Sequence, residues 1–312
     1  MLRIQQVSAK KEPARKSWYA PKSLRILALW RKGLAPSNRE KAEDIMTRIL
    51  TDITGRTRVL GILADPIAHV KAPPGINGIA IRRGKDAVMV PFQVSPEALP
   101  AFVDALRSLK SFDGGIVTVP HKGAMASLCD EISNRARAMG AVNVIRREDD
   151  GRLVGDMLDG VGFIAGLAAA GIDVAGRQVY LTGAGGAASA IAFAMAEAGV
   201  ARLTLVNRTR AKAQNLCDRI AAAYAGAIVS VGTDDPSGHD IVVNGTSLGM
   251  RPGDAISLDI DRLETAMVVA EVIMEPELTP LLARAKEKGC RIHLGKPMLE
   301  HQLELMANFL KL

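Results

Sequence analysis

The sequence predicts an α/β protein in two parts, the second of them a doubly wound parallel sheet. Three observations predict it. Short apolar runs rich in Val, Ile and Leu alternate with helix-length segments from Thr57 onward, which is the rhythm of helices laid on a sheet. The stretch "VYLTGAGGAASAIAFAMAEAGV" (179–200) joins a strand to a helix through a glycine turn, as in a mononucleotide-binding unit. Length agrees, since 312 residues are more than one core usually serves.

Each element follows in order. "RVLGILA" (58–64) reads as a strand. The stretch "GILADPIAHVKAPPGIN" (61–77) then leaves the apolar run at Ala64 and reads as a ligand-binding loop, though Val70 and Ala72 offer it no side-chain hydrogen bond. "AVMVPFQV" (87–94) is a second strand, followed by a helix from Pro96 to about Leu109. "GGIVTVP" (114–120) is a third strand and "HKGAMASLCDEI" a helix. "AVNVIRRE" and "GRLVGDM" form a hairpin about "DDG". In the second part "GVGFIAGLAAAG" (160–171) is a helix, and residues 177–209 are strand, turn, helix and strand. A helix follows from Arg210 to Tyr224, with strands at "AIVSV", "DIVVNG", "MVVAEVI" and "RIHLG". A last helix runs from about Pro297 to Leu310, apolar at 299, 303, 306 and 310.

Composition narrows the function. The formal net charge is +7, yet residues 1–45 hold 11 Lys/Arg against 4 Asp/Glu, and the remainder has 29 of each. The body therefore has no basic field for nucleic acid. The leading segment reads as a disordered basic extension or as a transit peptide. No apolar stretch reaches the roughly 18 residues of a membrane span. Cys129, Cys217 and Cys290 are scattered, and the five histidines lack metal-ligand spacing, so neither a disulfide framework nor a metal site is expected and a reducing compartment is.

Chemistry enters at the glycine turn. Gly183, Gly185 and Ala188 fit G-x-G-x-x-G/A between strand and helix. Gly183 permits the tight turn, and Gly185 lets the backbone approach a pyrophosphate lying on unpaired N–H groups at the helix N-terminus. The segment Gly183, Ala184, Gly185, Gly186 and Ala187 is the candidate cradle, and the part is a Rossmann-type domain. At the end of the next strand an NAD site places a carboxylate for the ribose hydroxyl. Here stand Asn207, Arg208, Thr209, Arg210 and Lys212, cations that suit a 2′-phosphate. NADP is expected over NAD.

Further stretches resemble one family. "VTVPHK" (117–122), "GAVNV" (140–144), the glycine turn with "NRT", "NGTSLGM" (244–250), "TPLL" (279–282) and "GKPMLEHQ" (295–302) are together similar to the shikimate dehydrogenase family, from about residue 57 to the C-terminus. The resemblance implies an N-terminal α/β substrate-binding domain over 57–158 and an NADP-binding domain over 159–295. It implies a C-terminal helix, 296–312, packing back on the first domain, and leaves 1–56 as an extension. It also implies reversible hydride transfer between NADP and a ring alcohol or ketone, in a cytoplasmic monomer or homodimer. Lys122 and Asp159 fall on the family's catalytic pair. Thr118, Asn143 and Gln302 fall on substrate positions, and Thr246, Met250, Gly295 and Met298 on cofactor positions.

Oxidising an alcohol needs a group to take the hydroxyl proton; a Lys held in a cleft does so, and a neighbouring carboxylate orients it. Structural roles stand beside these: a surface Lys opening a helix, and Asp159 as N-cap of "GVGFIAGL". The substrate side departs from the family. Val70 and Ala72 replace two serines that hold a carboxylate, and Ile116, Met157 and Met274 replace two Asn and a Tyr. A hydrogen bond to a charged group contributes about 1.5–3 kcal/mol, so losing two weakens an acid by about 10²- to 10⁴-fold. Lys71, between the altered positions, either turns inward to pair with an acid or faces solvent. Three readings stay open: a dehydrogenase of a cyclic polyol other than shikimate, a shikimate or quinate dehydrogenase with rerouted carboxylate binding, and a non-enzymatic dinucleotide sensor.

Overall fold

The computed structural model describes residues 53–312; the expectations for the basic leading segment lie outside the described residues. In chain order the first part runs β1 (Arg58–Ala64), α1 (Ala72–Arg82), β2 (Ala87–Gln93), α2 (Leu99–Ser108), β3 (Phe112–Val117), α3 (Lys122–Leu128), β4 (Glu131–Ile132), α4 (Asn134–Met139), β5 (Val144–Arg147) and β6 (Leu153–Asp156). The second runs α5 (Asp159–Ala169), β7 (Gln178–Thr182), α6 (Gly186–Glu197), β8 (Arg202–Val206), α7 (Arg210–Ala223), β9 (Val229–Val231), β10 (Ile241–Asn244), β11 (Val268–Glu271), α8 (Pro280–Glu287), β12 (Arg291–His293) and α9 (Lys296–Phe309).

The first sheet has the order β2-β1-β3-β5-β6-β4. β1 lies parallel to β2 and β3, and β5 and β6 form the antiparallel hairpin that "DDG" announces. Alternate residues of β1 face opposite layers, as the two-residue period of a strand requires. Leu60 and Ile62 meet Ile76 and Ile79 of α1 and Met306 and Leu310 at the end of α9. Leu63 joins Val103 of α2 and Met125 of α3 on the other face.

The second sheet is parallel throughout, in the order β12-β11-β10-β7-β8-β9. Its runs read as unbroken Val, Ile and Leu because both faces are covered. One face buries Val179, Leu181, Leu203 and Leu205 against α5, α6 and α7. The other buries Tyr180, Val242 and Val269 against α8. The chain steps outward from β7 in one direction and resumes from β10 in the other, so the β7/β10 boundary is the switch point where such sheets hold ligands. α9 then leaves this sheet and packs against α5 and α1.

Some sequence expectations change. The last six residues of the loop expected over 61–77 are helix, since α1 begins at Ala72 with Pro73 and Pro74 in its first turn, where proline is compatible with a helix. α4 and α8 were not expected as helices. Both carry side-chain N-caps: Ser133 accepts from Ala136 N–H at 3.2 Å and Thr279 from Leu282 N–H at 3.3 Å. Met157 is 3% exposed within the core of the first part and does not line the cavity described below, so it is no member of an altered substrate wall.

Candidate active site

A cavity of about 330 Å³ opens where β1, β3 and α1 meet α5 and α9. Thr118, Lys122, Asn143, Asp159 and Gln302 supply its polar wall. Each arrives from a different element. Thr118 directly follows β3. The loop after it is anchored by His121, 1% exposed, whose Nε2 lies 2.8 Å from the Val94 carbonyl. Lys122 then opens α3. Asn143 sits before β5, its backbone bonded to Val117 on one side and Asp156 on the other. Asp159 opens α5, and Gln302 reaches in from α9.

These side chains converge on one carboxylate. Lys122 Nζ lies 2.5 Å from Asp159 Oδ2. Asn143 Nδ2 donates to Asp159 Oδ1 at 2.5 Å, and Gln302 Nε2 donates to the same oxygen. Asn143 Oδ1 accepts from Leu158 N–H at 2.8 Å, so this amide is fixed at both ends. The Asp159 side chain is 11% exposed and that of Lys122 27%; the carboxylate is held inside and the ammonium faces the cavity. The capping role expected for Asp159 is not seen: Leu158 occupies the N-cap position with no side-chain cap bond, and Asp159 is the first helical residue.

Gly162 makes the Gln302 contact possible. A Cβ there would stand 2.7 Å from Gln302 Cβ, so only glycine lets α9 approach α5 this closely. The sequence carried the signal in the spacing of Gly160, Gly162 and Gly166, but nothing in it named α9 as the partner.

The rest of the cavity is apolar. Val70, Ala72, Ile116, Met274, Leu299, Leu303 and Met306 line it, with His69 and Lys71 toward the outside. Lys71 does not turn inward: its Nζ pairs with Glu275 Oε1 at 3.1 Å, the two side chains being 55% and 83% exposed. Leu299, Leu303 and Met306 are three of the four apolar positions that the sequence gives the last helix, and they line this cavity. Among the described residues there is no grouping of His, Cys, Asp and Glu that could hold a metal ion. Likewise, no helix among them is long and apolar enough to cross a membrane.

Most of the residues expected at a cofactor lie at the C-terminal ends of the second sheet's strands. Gly183 follows β7, Asn207 follows β8, Thr246 follows β10 and Gly295 follows β12. All these strands are parallel, so all four turns sit at their C-terminal ends. Gly183 has φ +106°, and a Cβ on it would press against the Gly245 carbonyl at 3.0 Å. Beyond it, Gly185 and Gly186 face open space, and Gly185 caps α6 with no side-chain acceptor. The first N–H groups of α6 are thus left for an anion, and a dinucleotide's pyrophosphate fits this turn. Ala184 and Ala187 are half-buried beside it. Arg208, Thr209 and Lys212 are exposed, and Asn207 Nδ2 ties down the turn by donating to the Thr209 carbonyl at 2.9 Å. Thr246 Oγ1 donates to Asn244 Oδ1 at 2.7 Å. Met250 is exposed on the same loop, and Met298 packs partly buried against the core beneath the sheet.

A glycine turn at the switch point of a parallel sheet, beside a cleft holding a Lys–Asp pair, defines a dinucleotide-linked oxidoreductase of the two-part α/β class. Comparison with known proteins gives the particular family. Residues 62–145 match the shikimate dehydrogenase substrate binding domain, and residues 167–247 match the shikimate / quinate 5-dehydrogenase domain. The chain belongs to the shikimate dehydrogenase family. It is 41% identical over 261 residues to the shikimate dehydrogenase (NADP(+)) of Geobacter metallireducens, covering 81% of this chain and 91% of that protein. The shikimate 5-dehydrogenase of Listeria monocytogenes, solved with shikimate and NAD, superposes with a TM-score of 0.78 at 29% identity, covering 83% and 93% of the two chains. The ligand-free 5-ketofructose reductase of a Gluconobacter strain superposes at 0.75 with 31% identity, covering 83% and 99%.

Proposed function

We propose that this protein catalyses reversible, NADP-dependent oxidation of a ring hydroxyl on a cyclic polyol or hydroxy acid. The observation that carries this reading is the Lys122–Asp159 pair at 2.5 Å, facing a cavity that Thr118, Asn143 and Gln302 also line. When bound, the nicotinamide supplies hydride exchange with the carbinol carbon. The chain's own residues do the rest. Thr118 Oγ1 and Lys122 Nζ offer hydrogen bonds to substrate hydroxyls. In its neutral amine form Lys122 Nζ takes the hydroxyl proton as the alcohol becomes a ketone, and in the reverse direction the ammonium so formed gives it back. Asp159, held by Asn143 and Gln302, keeps Nζ aimed into the cavity and balances its charge. Arg208 and Lys212, with no carboxylate at the end of β8, support NADP over NAD.

The relatives' names support shikimate or quinate as the ring substrate, and this is the reading that similarity backs best. One specific observation favours a second. Val70, Ala72, Ile116 and Met274 give the far wall no hydrogen-bond donor on any side chain, and an unpaired carboxylate is costly to bury there. An uncharged polyol or ketose suits that wall, and a relative named for 5-ketofructose has the same fold.

The test is a turnover screen with NADP and NAD across shikimate, quinate and uncharged cyclic polyols. Turnover that requires Lys122 supports the dehydrogenase. Robust oxidation of micromolar shikimate settles for the first substrate, and oxidation of uncharged polyols alone for the second. Failure with every ring alcohol would leave the dinucleotide sensor as the better reading.

A further inference from the structure

Glu271, the last residue of β11, is 0% exposed, and no cation pairs with it among the described residues. Burial pushes its carboxyl above the usual range, against four hydrogen bonds that pull the other way. Oε1 accepts the backbone N–H groups of Val272 at 3.0 Å and Ile273 at 3.3 Å. Oε2 accepts Asn244 Nδ2 at 3.1 Å and Thr279 Oγ1 at 3.0 Å. An apolar side chain would fill the same volume without the desolvation penalty of a carboxylate. What it could not do is bind four donors from three segments.

Those segments lead to both halves of the site. Through Asn244, whose Oδ1 also takes the Thr246 N–H at 3.1 Å and Thr246 Oγ1 at 2.7 Å, the carboxylate fixes the turn after β10 on the cofactor edge. Through Val272 and Ile273 it fixes the strand exit that carries Met274 into the substrate cavity. The far side of that exit is closed by Gly295, where any Cβ would collide with the Ile273 carbonyl. Thr279, itself 0% exposed, caps α8 and ends the segment.

We propose that Glu271 is a positioning residue: a buried four-donor clamp that sets Met274 against the substrate and the Thr246 turn against the cofactor. The inference rests on the dehydrogenase reading for its substrate arm only. Glu271→Gln keeps the shape but offers one acceptor oxygen and turns an NH₂ toward donors. The control is Val269→Ala, a cavity in the same strand away from both loops. Melting temperature, NADPH affinity by fluorescence titration, and KM and kcat for the ring substrate are read for each. E271Q is expected to weaken NADPH binding and raise substrate KM by about tenfold or more, with kcat nearly unchanged. V269A lowers the melting temperature without either effect. Equal binding constants for E271Q and V269A would overturn the proposal. If E271Q does not fold, Thr279→Val removes one donor and must move both constants in the same direction; wild-type values there overturn it equally. A wild type that turns over no ring alcohol, yet loses NADPH affinity on E271Q, would sink the dehydrogenase reading and leave the clamp standing.

Discussion

Replacing Lys122 by Met and Asp159 by Asn, singly and together, tests whether the pair works as one unit. Removing a positioned acid–base group lowers kcat by about 10²- to 10⁴-fold. Lys122→Met should reach the upper part of that range, because Nζ belongs to the more exposed side chain of the pair, 27% against 11%. Asp159→Asn keeps the ammonium but turns an NH₂ toward donors from Lys122, Asn143 and Gln302, so kcat falls by about 10²-fold or more. Groups that act as a unit are non-additive, and the double variant should be no slower than Lys122→Met alone. Stability should show the same asymmetry. Lys122→Met leaves a carboxylate whose side chain is 11% exposed without its cation, a loss of about 1–3 kcal/mol with two amide donors remaining. Asp159→Asn leaves an ammonium whose side chain is 27% exposed. It can turn into the open cavity, so the cost of its lost partner is about 1 kcal/mol. Steady-state kinetics at saturating NADP and thermal melts give both. Full activity in Lys122→Met, or a double variant slowed by the product of the single effects, would refute the shared role.

Val70→Ser with Ala72→Ser should lower KM for shikimate, by at most about 10²- to 10⁴-fold if both hydroxyls reach a carboxylate; an unchanged KM would show that this wall does not govern substrate choice. Gly183→Ala, at φ +106°, should destabilise by about 1–3 kcal/mol and weaken NADPH binding, as melts and fluorescence titration will read. His293 is 5% exposed, its Nε2 has no partner among the described residues, and burial pulls its pKa below 6.5. The unfolded chain therefore takes up a proton near 6.5 that the folded protein refuses. Stability is full above that value and is lost as pH falls toward the lower folded value. Melting temperatures of His293→Phe should fall less steeply over this acid range than those of the wild type.

The sequence made the second sheet legible because parallel strands covered on both faces are continuous apolar runs, and because a glycine turn between strand and helix has few other uses. Lys122 and Asp159 were found by motif, and their contact is a matter of tertiary structure. Gln302 lies 143 positions from Asp159, and no local pattern reports that distance. α1 was hidden by Pro73 and Pro74, which mark a loop in most contexts and a first helical turn here. α4 and α8 are short, and their caps, Ser133 and Thr279, were the readable signals. Met157 shows the limit of motif arithmetic: its position was assigned to the substrate wall, while its side chain belongs to the core. Glu271 carries no motif at all, since only burial distinguishes it from a surface glutamate.

α9 has a consequence for how the protein is made. Its 14 residues come after the whole of the second sheet, yet they complete the layer beneath the first and deliver Gln302 to Asp159. During synthesis the layer that α1 begins on the first sheet is therefore completed only after every strand of the parallel sheet has been made. A chain released before residue 302 would keep its glycine turn and its Lys122 but lack a donor to Asp159. The polar wall of the active centre is thus completed late in synthesis, by a side chain 143 positions beyond Asp159.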